Sequence, residues 1–225
     1  FRALDRDVRV KKEVEDGDSF PAGTVLMRLD GHARPMLAAE RSALNTLQHM
    51  SGIATLTRRY ADAIAGTGAV LLDTRKTIPG LRLLDKYAAR MGGAQNHRMR
   101  LDDGVLIKDN HVAVCGGVEA AVRAAVAAET GLQVQVEVDR LEQIEPALAA
   151  GADRLLLDNM SPETLREAVR IVAGRVPLEA SGGVNLDTIR AIAETGVDFI
   201  SVGRITQSAP AVDIGLDYAL QELPG

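Results

Sequence analysis

The stretch RLLLDNMSPETLREAVRIVAGRVPLEASGG, residues 154–183, decides the fold. It opens on an apolar run, RLLLD, that closes on Asp158. It continues through PETLREAVRIVA, whose apolar residues recur at helical spacing, and returns to a second apolar run, PLEAS, stopped by Gly182 and Gly183. An apolar strand, an amphipathic helix and another apolar strand make a βαβ unit, with parallel strands buried on both faces.

The same rhythm extends in both directions. AVLLD (69–73), VLIKD (105–109), VQVEV (134–138) and FISVG (199–203) read as strands, and GLRLLDKYAARM, VEAAVRAAVAAE, LEQIEPALAA and LDTIRAIAETG read as the helices between them. With NHRMRL (96–101) as a further strand there are seven candidates. That number favours an α/β fold of the β/α barrel type, complete or incomplete, over a doubly wound open sheet; the open sheet stays in play, because no Gly-x-Gly-x-x-Gly fingerprint or strand order can be read.

Residues 1–36 alternate short polar and apolar pieces punctuated by Gly17, Pro21, Gly23, Gly31 and Pro35, as a small β-rich unit would. Residues 37–64 carry helical periodicity interrupted at Ser51 and Gly52, which predicts two helices or one kinked helix. The expected organisation is therefore an N-terminal unit with linking helices over 1–65, a barrel over 66–210, and a C-terminal helix over 211–225 that packs back on the N-terminal unit.

Composition narrows the function classes. The chain has 225 residues, 46% hydrophobic, enough for a sizeable core, and no apolar run approaches a membrane span. A net charge of −5 and only 3% aromatic residues argue against a nucleic-acid partner held by a global basic field or by stacking. The lone Cys115 forms no intramolecular disulfide and no cysteine zinc site, and fits a reducing, cytoplasmic compartment. His32, His49 and His111 show no metal-triad spacing.

Asp73, Lys108, Glu137, Asp158, Ser181 and Gly203 each stand at the C-terminal end of an apolar run, which in a barrel is the catalytic face. Three groupings follow. Arg75 and Lys76, His97 and Arg98, and Lys108 form a cationic set suited to carboxylates and phosphates. Glu137 and Asp158 are carboxylates in apolar strands, which need a cation, a metal or sugar hydroxyls. Ser181, Gly182, Gly183 and Gly203 lie in glycine turns whose N–H groups can cradle a phosphate. Singly, each cation reads better as a solvated surface charge, and Glu137 and Asp158 as salt-bridge partners of Lys108 or Arg98; together they imply a polyanionic ligand with a phosphorylated sugar.

ERSALN, DTRKTIPGLR, KYA, the GG and HR that follow, LIKDNH, VEVD, LLLDN, ASGG and VDFISVG, in this order, resemble the quinolinate phosphoribosyltransferase family from about Glu15 to the C-terminus. The family's earliest N-terminal segment has no counterpart here, and Gln207 stands where a histidine is usual, a position read as peripheral. The resemblance implies a small sandwich-like N-terminal α+β domain, an incomplete seven-stranded barrel, and a homodimer, or a higher oligomer, with sites at the subunit boundary.

It also implies transfer of phosphoribose from 5-phosphoribosyl-1-pyrophosphate to quinolinate with decarboxylation, aided by Mg²⁺. Arg41, Arg75, His97, Arg98 and Lys108 would bind quinolinate, Lys76 would lie toward the pyrophosphate, and Thr74 would be a further substrate-binding residue. Glu137 and Asp158 would hold the ribose directly or through Mg²⁺, and Ser181, Gly182, Gly183 and Gly203 the 5′-phosphate. Lys108, Glu137 and Asp158 are the expected catalytic set. The rivals are a transferase for nicotinate, a Schiff-base aldolase using Lys108, and a barrel that only binds phosphorylated ligands.

Overall fold

The computed structural model describes residues 1–219. The N-terminal unit is a hairpin, β1 (Arg9–Lys12) paired antiparallel with β2 (Met27–Asp30) so that Arg9 faces Asp30. Two strands do not make a sandwich, and none forms from the described residues.

A single helix, α1 (Ala33–Ala63), follows without a break. The interruption expected at Ser51 and Gly52 does not occur, and the glycine has another reason. A Cβ there would lie 2.1 Å from the carbonyl oxygen of Pro210, so the glycine admits a crossing chain and breaks no helix. Its helical hydrogen bonds remain, at a propensity cost of about 1 kcal/mol relative to alanine.

The remaining elements alternate. They are β3 (Val70–Leu72), α2 (Arg82–Met91), β4 (Val105–Ile107), α3 (Asp109–Cys115), α4 (Val118–Ala127), β5 (Val134–Val138), α5 (Ile144–Ala149), β6 (Arg154–Asp158), α6 (Pro162–Val172), β7 (Leu178–Ser181), α7 (Ile189–Ala193), β8 (Phe199–Ser201) and α8 (Arg204–Gln207). The last six strands form one parallel sheet in the order β3-β8-β7-β6-β5-β4. Every apolar run of the sequence is a strand of this sheet.

NHRMRL is the exception, and no strand forms over 96–101; only a single bridge joins Leu72 to Gln95. The reason is competition for its N–H groups. His97 N donates to Asp73 Oδ1 (2.8 Å), Arg98 N to His97 Nδ1 (2.8 Å), Met99 N to Asp103 Oδ2 (2.6 Å) and Arg100 N to Asp103 Oδ1 (3.2 Å). Side chains have taken the donors that a strand would give to a neighbour.

The sheet's two faces differ chemically. Val136, Val138, Leu155, Leu157, Leu178, Ala180 and Ile200 join Val122, Ile144, Leu165, Ala168, Val172 and Ile189 of the helices in one continuous apolar core. The alternate positions, Glu137, Leu156, Asp158, Glu179, Ser181 and Ser201, line a cavity instead. Period two thus separates packing from chemistry along each strand.

The expected C-terminal helix is not seen over 211–219, which runs without regular structure; 220–225 lie outside the described residues. This segment nonetheless packs on α1, with Val212 N donating to Gln48 O (3.1 Å) and Gln48 Nε2 to Ile214 O (2.8 Å). No helix among the described residues is long and apolar enough to cross a membrane.

Candidate active site

At the C-terminal ends of the parallel strands lies a cavity of about 670 Å³. Its lining brings together the cationic set with Thr74 (Thr74, Arg75, Lys76, His97, Arg98 and Lys108), the acids Glu137 and Asp158, and Ser181, Gly182, Gly183 and Gly203. Two of the residues singled out in the sequence do not line this cavity: Arg41 is exposed on α1, and Asp73, expected on the catalytic face, is fully buried.

Asp73, fully buried just after β3, organises the cationic wall. It pairs with the equally buried Lys86 of α2, accepts from Asn96 Nδ2 at 2.6 Å and takes the His97 backbone N–H. One carboxylate therefore ties together the loops that carry Arg75 and His97. Thr206 Oγ1 donates to Lys76 O at 2.9 Å and anchors the first of those loops to α8.

Arg75 and Arg98 stand as neighbouring like charges. Burial lowers the Arg98 pKa, the Arg75 charge lowers it further, and Asp103 only partly opposes them. Arg75 Nε is buried without a hydrogen-bond partner among the described residues. A buried guanidinium donor without an acceptor is costly, and an anion in the cavity would remove that cost.

His97 behaves differently from a free cation. Its Nδ1 accepts the Arg98 N–H, and its Nε2 lies 3.4 Å from Glu179 Oε2. Burial works against the Glu179 charge, yet contact with His97 and the Arg154 guanidinium more than offset it and hold this carboxyl below its usual range.

The opposite holds for the acids facing the cavity. Burial raises the Glu137 carboxyl above its usual range; Lys108, with Nζ 3.5 Å from Glu137 Oε2, pulls down, while Asp158 and Asp109 push up. Asp158 is likewise raised by burial, against its hydrogen bond from Asn159 Nδ2 (2.6 Å) and the charges of Lys108 and Lys76. Two carboxylates that resist ionising beside each other suit a divalent cation or sugar hydroxyls. No group of three metal-ligating side chains exists among the described residues, so an ion here would need oxygens from a ligand as well. Mg²⁺, which keeps waters and substrate phosphates as ligands, fits that donor set.

The glycines have steric reasons. Gly182 has φ of +89°, and a Cβ on it would fall 2.2 Å from Asn159 Oδ1. A Cβ on Gly203 would fall 2.9 Å from Lys76 Cδ. Asn159 itself adopts φ of +54°, a conformation asparagine tolerates, and donates its backbone N–H to Ser181 O at 2.9 Å.

Sequence reasoning passed over several lining residues: Asp109, Asn159, Glu179, Ser201, Arg204 and Gln207, with apolar Leu106, Leu156, Val184 and Val202. Glu179 had a usable signal, a charge inside an apolar strand two residues before Ser181, the same signal that marked Glu137. Gln207 is not peripheral: one turn into α8, it faces the cavity near Gly203.

Residues 53–217 match the quinolinate phosphoribosyl transferase C-terminal domain, and residues 1–51 match the N-terminal domain of the same family, reaching ahead of Glu15. The chain is 49% identical over 212 residues to nicotinate-nucleotide pyrophosphorylase (carboxylating) of Mycobacterium leprae, covering 93% of this chain and 75% of that one. It is 42% identical over 221 residues to the probable enzyme of that name from Bacillus subtilis, covering 98% and 76%. Among solved structures, the nicotinate-nucleotide pyrophosphorylase of Francisella tularensis superposes with a TM-score of 0.91 at 45% identity, over 94% of this chain and 76% of that one.

Proposed function

The chain belongs to the quinolinate phosphoribosyltransferase family, and on that premise we propose that its cavity transfers phosphoribose from 5-phosphoribosyl-1-pyrophosphate to quinolinate. The products are nicotinate mononucleotide, pyrophosphate and CO2. The observation that carries this reading is the meeting, in one cavity, of Arg75, whose Nε has no partner among the described residues, and the neighbouring Arg98 with the acids Glu137 and Asp158 and the glycine turns at Gly182 and Gly203.

Arg75, Arg98 and Lys108 receive the two carboxylates of quinolinate, and His97 borders them. Thr74 and Lys76 lie toward the departing pyrophosphate. Ser181, Gly182, Gly183 and Gly203 hold the 5′-phosphate through hydroxyl and backbone N–H donors. Such preorganised charge in a water-poor site stabilises a transition state by roughly 3 kcal/mol per well-aimed donor.

Glu137 and Asp158 face the ribose, where positive charge grows as the bond to pyrophosphate breaks. These two residues would also hold Mg²⁺, which supplies charge neutralisation for the pyrophosphate. The ring nitrogen of quinolinate forms the new bond to the sugar carbon. Its positive charge then stabilises the electron pair left on the adjacent ring carbon when the carboxylate there departs as CO2, and a proton adds to that carbon. The Lys108 ammonium, half-exposed beside Glu137, neutralises that carboxylate beforehand.

The sheet order, with the Leu72–Gln95 bridge in the place of a further strand, supports an incomplete seven-stranded barrel. Division of the chain near residue 65, a cytoplasmic location and a homodimer complete the reading. The dimer is supported by Arg41, exposed outside its own chain's cavity, and by the exposed Leu81, Leu83 and Leu84 at the start of α2. Arg41 would enter the partner's site.

The test is incubation with carboxyl-labelled quinolinate, 5-phosphoribosyl-1-pyrophosphate and Mg²⁺. Labelled CO2 and nicotinate mononucleotide are expected only when both substrates are present. Efficient turnover of nicotinate would remove the case for a two-carboxylate pocket.

A further inference from the structure

Glu179 is a buried acid in the cavity lining to which the proposed reaction gives no role. It sits on β7, opposite Leu156 of β6 and Phe199 of β8. Gln135 Nε2 donates to its Oε2 at 2.9 Å, and Arg154 Nη2 lies 2.8 Å from the same oxygen. The Arg154 guanidinium is itself pinned over the Phe199 ring, 3.8 Å from the centroid. Three strands of the sheet thus immobilise one carboxylate.

That carboxylate points toward the cationic wall. Its Oε2 is 3.4 Å from His97 Nε2, a separation typical of pocket contacts before a ligand tightens them. The other ring nitrogen, Nδ1, accepts the Arg98 backbone N–H at 2.8 Å. An Nδ1 that accepts leaves the hydrogen on Nε2, facing Glu179. Arg98 is held again at its tip, where Nη1 donates to Gly104 O at 3.0 Å.

Neutralising Arg154 would explain a buried acid at this position, but not its contact with a pocket histidine. Building on the quinolinate reading above, we infer that Glu179 is a positioning residue for recognition of the aromatic dicarboxylate. It fixes His97 as the Nε2–H tautomer, and His97 in turn fixes the backbone and direction of Arg98. His97 is then a strut of the pocket more than one of its cations. Replacing the carboxylate should loosen quinolinate and leave the phosphoribosyl donor, held by other loops, unaffected.

The first readout needs no variant with altered stability. The chain has four histidines, so ¹⁵N-histidine labelling resolves each ring, and His97→Asn identifies the signal of interest. The wild-type protein should show His97 neutral, with Nε2 protonated and Nδ1 bare. A Nδ1–H tautomer or a doubly protonated ring overturns the inference, because neither can accept from Arg98.

The second readout is steady-state kinetics. Glu179→Gln, whose carbonyl still accepts from Nε2–H, should keep the tautomer and keep KM for quinolinate within about threefold, while Glu179→Leu should lose the tautomer and raise that KM by about tenfold or more. KM for 5-phosphoribosyl-1-pyrophosphate should change by less than about twofold in both. Equal losses in both variants, or a shift in the donor KM alone, overturn it. Arg154→Met with Glu179→Leu removes both buried charges if the single leucine variant does not fold, and if this one fails too the wild-type tautomer decides. Absence of CO2 release by the wild-type protein would defeat the quinolinate reading, while the tautomer reports on the Glu179 to His97 linkage by itself.

Discussion

Lys86 and Asp73 form an ion pair in which neither side chain is exposed. Burial pushes the Asp73 carboxyl up and the Lys86 ammonium down, each against the pull of its partner. Removing one member strands the other charge. Lys86→Met should therefore destabilise the fold by about 3–5 kcal/mol, and adding Asp73→Asn should recover much of that loss. Urea denaturation of the two single variants and the double variant measures the coupling. Additive losses would show that the pair does not act as a unit.

Arg98 should show opposite signs for stability and function. It is half-buried beside the like charge of Arg75, so Arg98→Met should hold or raise Tm while raising KM for quinolinate by about tenfold or more. Thermal melting and initial rates on the same preparation check this. A lower Tm with unchanged KM would make Arg98 a structural residue.

Glu137 gives a pH dependence. Its folded pKa is raised, so its contribution to stability is fully present below the unfolded carboxyl pKa and is lost as pH rises through the folded one. Glu137→Gln should then be more stable than the wild type at pH 7.5 and equal to it near pH 4. The side chain is largely buried but lines the cavity beside the Lys108 charge, so the gain should be about 1 kcal/mol, or about 2–4 °C in Tm. Melting curves across this range test the sign. A wild type more stable than the variant at pH 7.5 would contradict it.

Arg41 tests the proposed dimer. Arg41→Ala and Lys108→Ala should each be nearly inactive alone. In a mixed dimer both defects fall in one site and the other is intact, so co-expression should restore up to about half of wild-type activity per mixed dimer. No recovery after verified subunit exchange would place Arg41 outside the partner's site.

The strands were legible because burial on both faces writes itself as continuous apolar runs, and all such runs became strands. Glu137, Asp158 and Lys108 were legible because a charge at the end of such a run needs a reason. NHRMRL misled because its alternation resembles a strand, whereas Asp73 and Asp103, distant or following in the chain, capture its N–H groups. Gly52 misled because the neighbour that requires it, Pro210, is far away in sequence.

Residue order by itself determined the βα rhythm, the strands of the parallel sheet and the cationic, acidic and glycine-rich sets at their ends, since periodicity and local charge are properties of neighbours along the chain. Only the tertiary structure decided which of those groups are paired. Asp73 meets Lys86, Glu179 meets Arg154 and His97, and Arg75 keeps a buried donor without an acceptor, because contacts across the sheet are set by register and packing between segments remote in sequence.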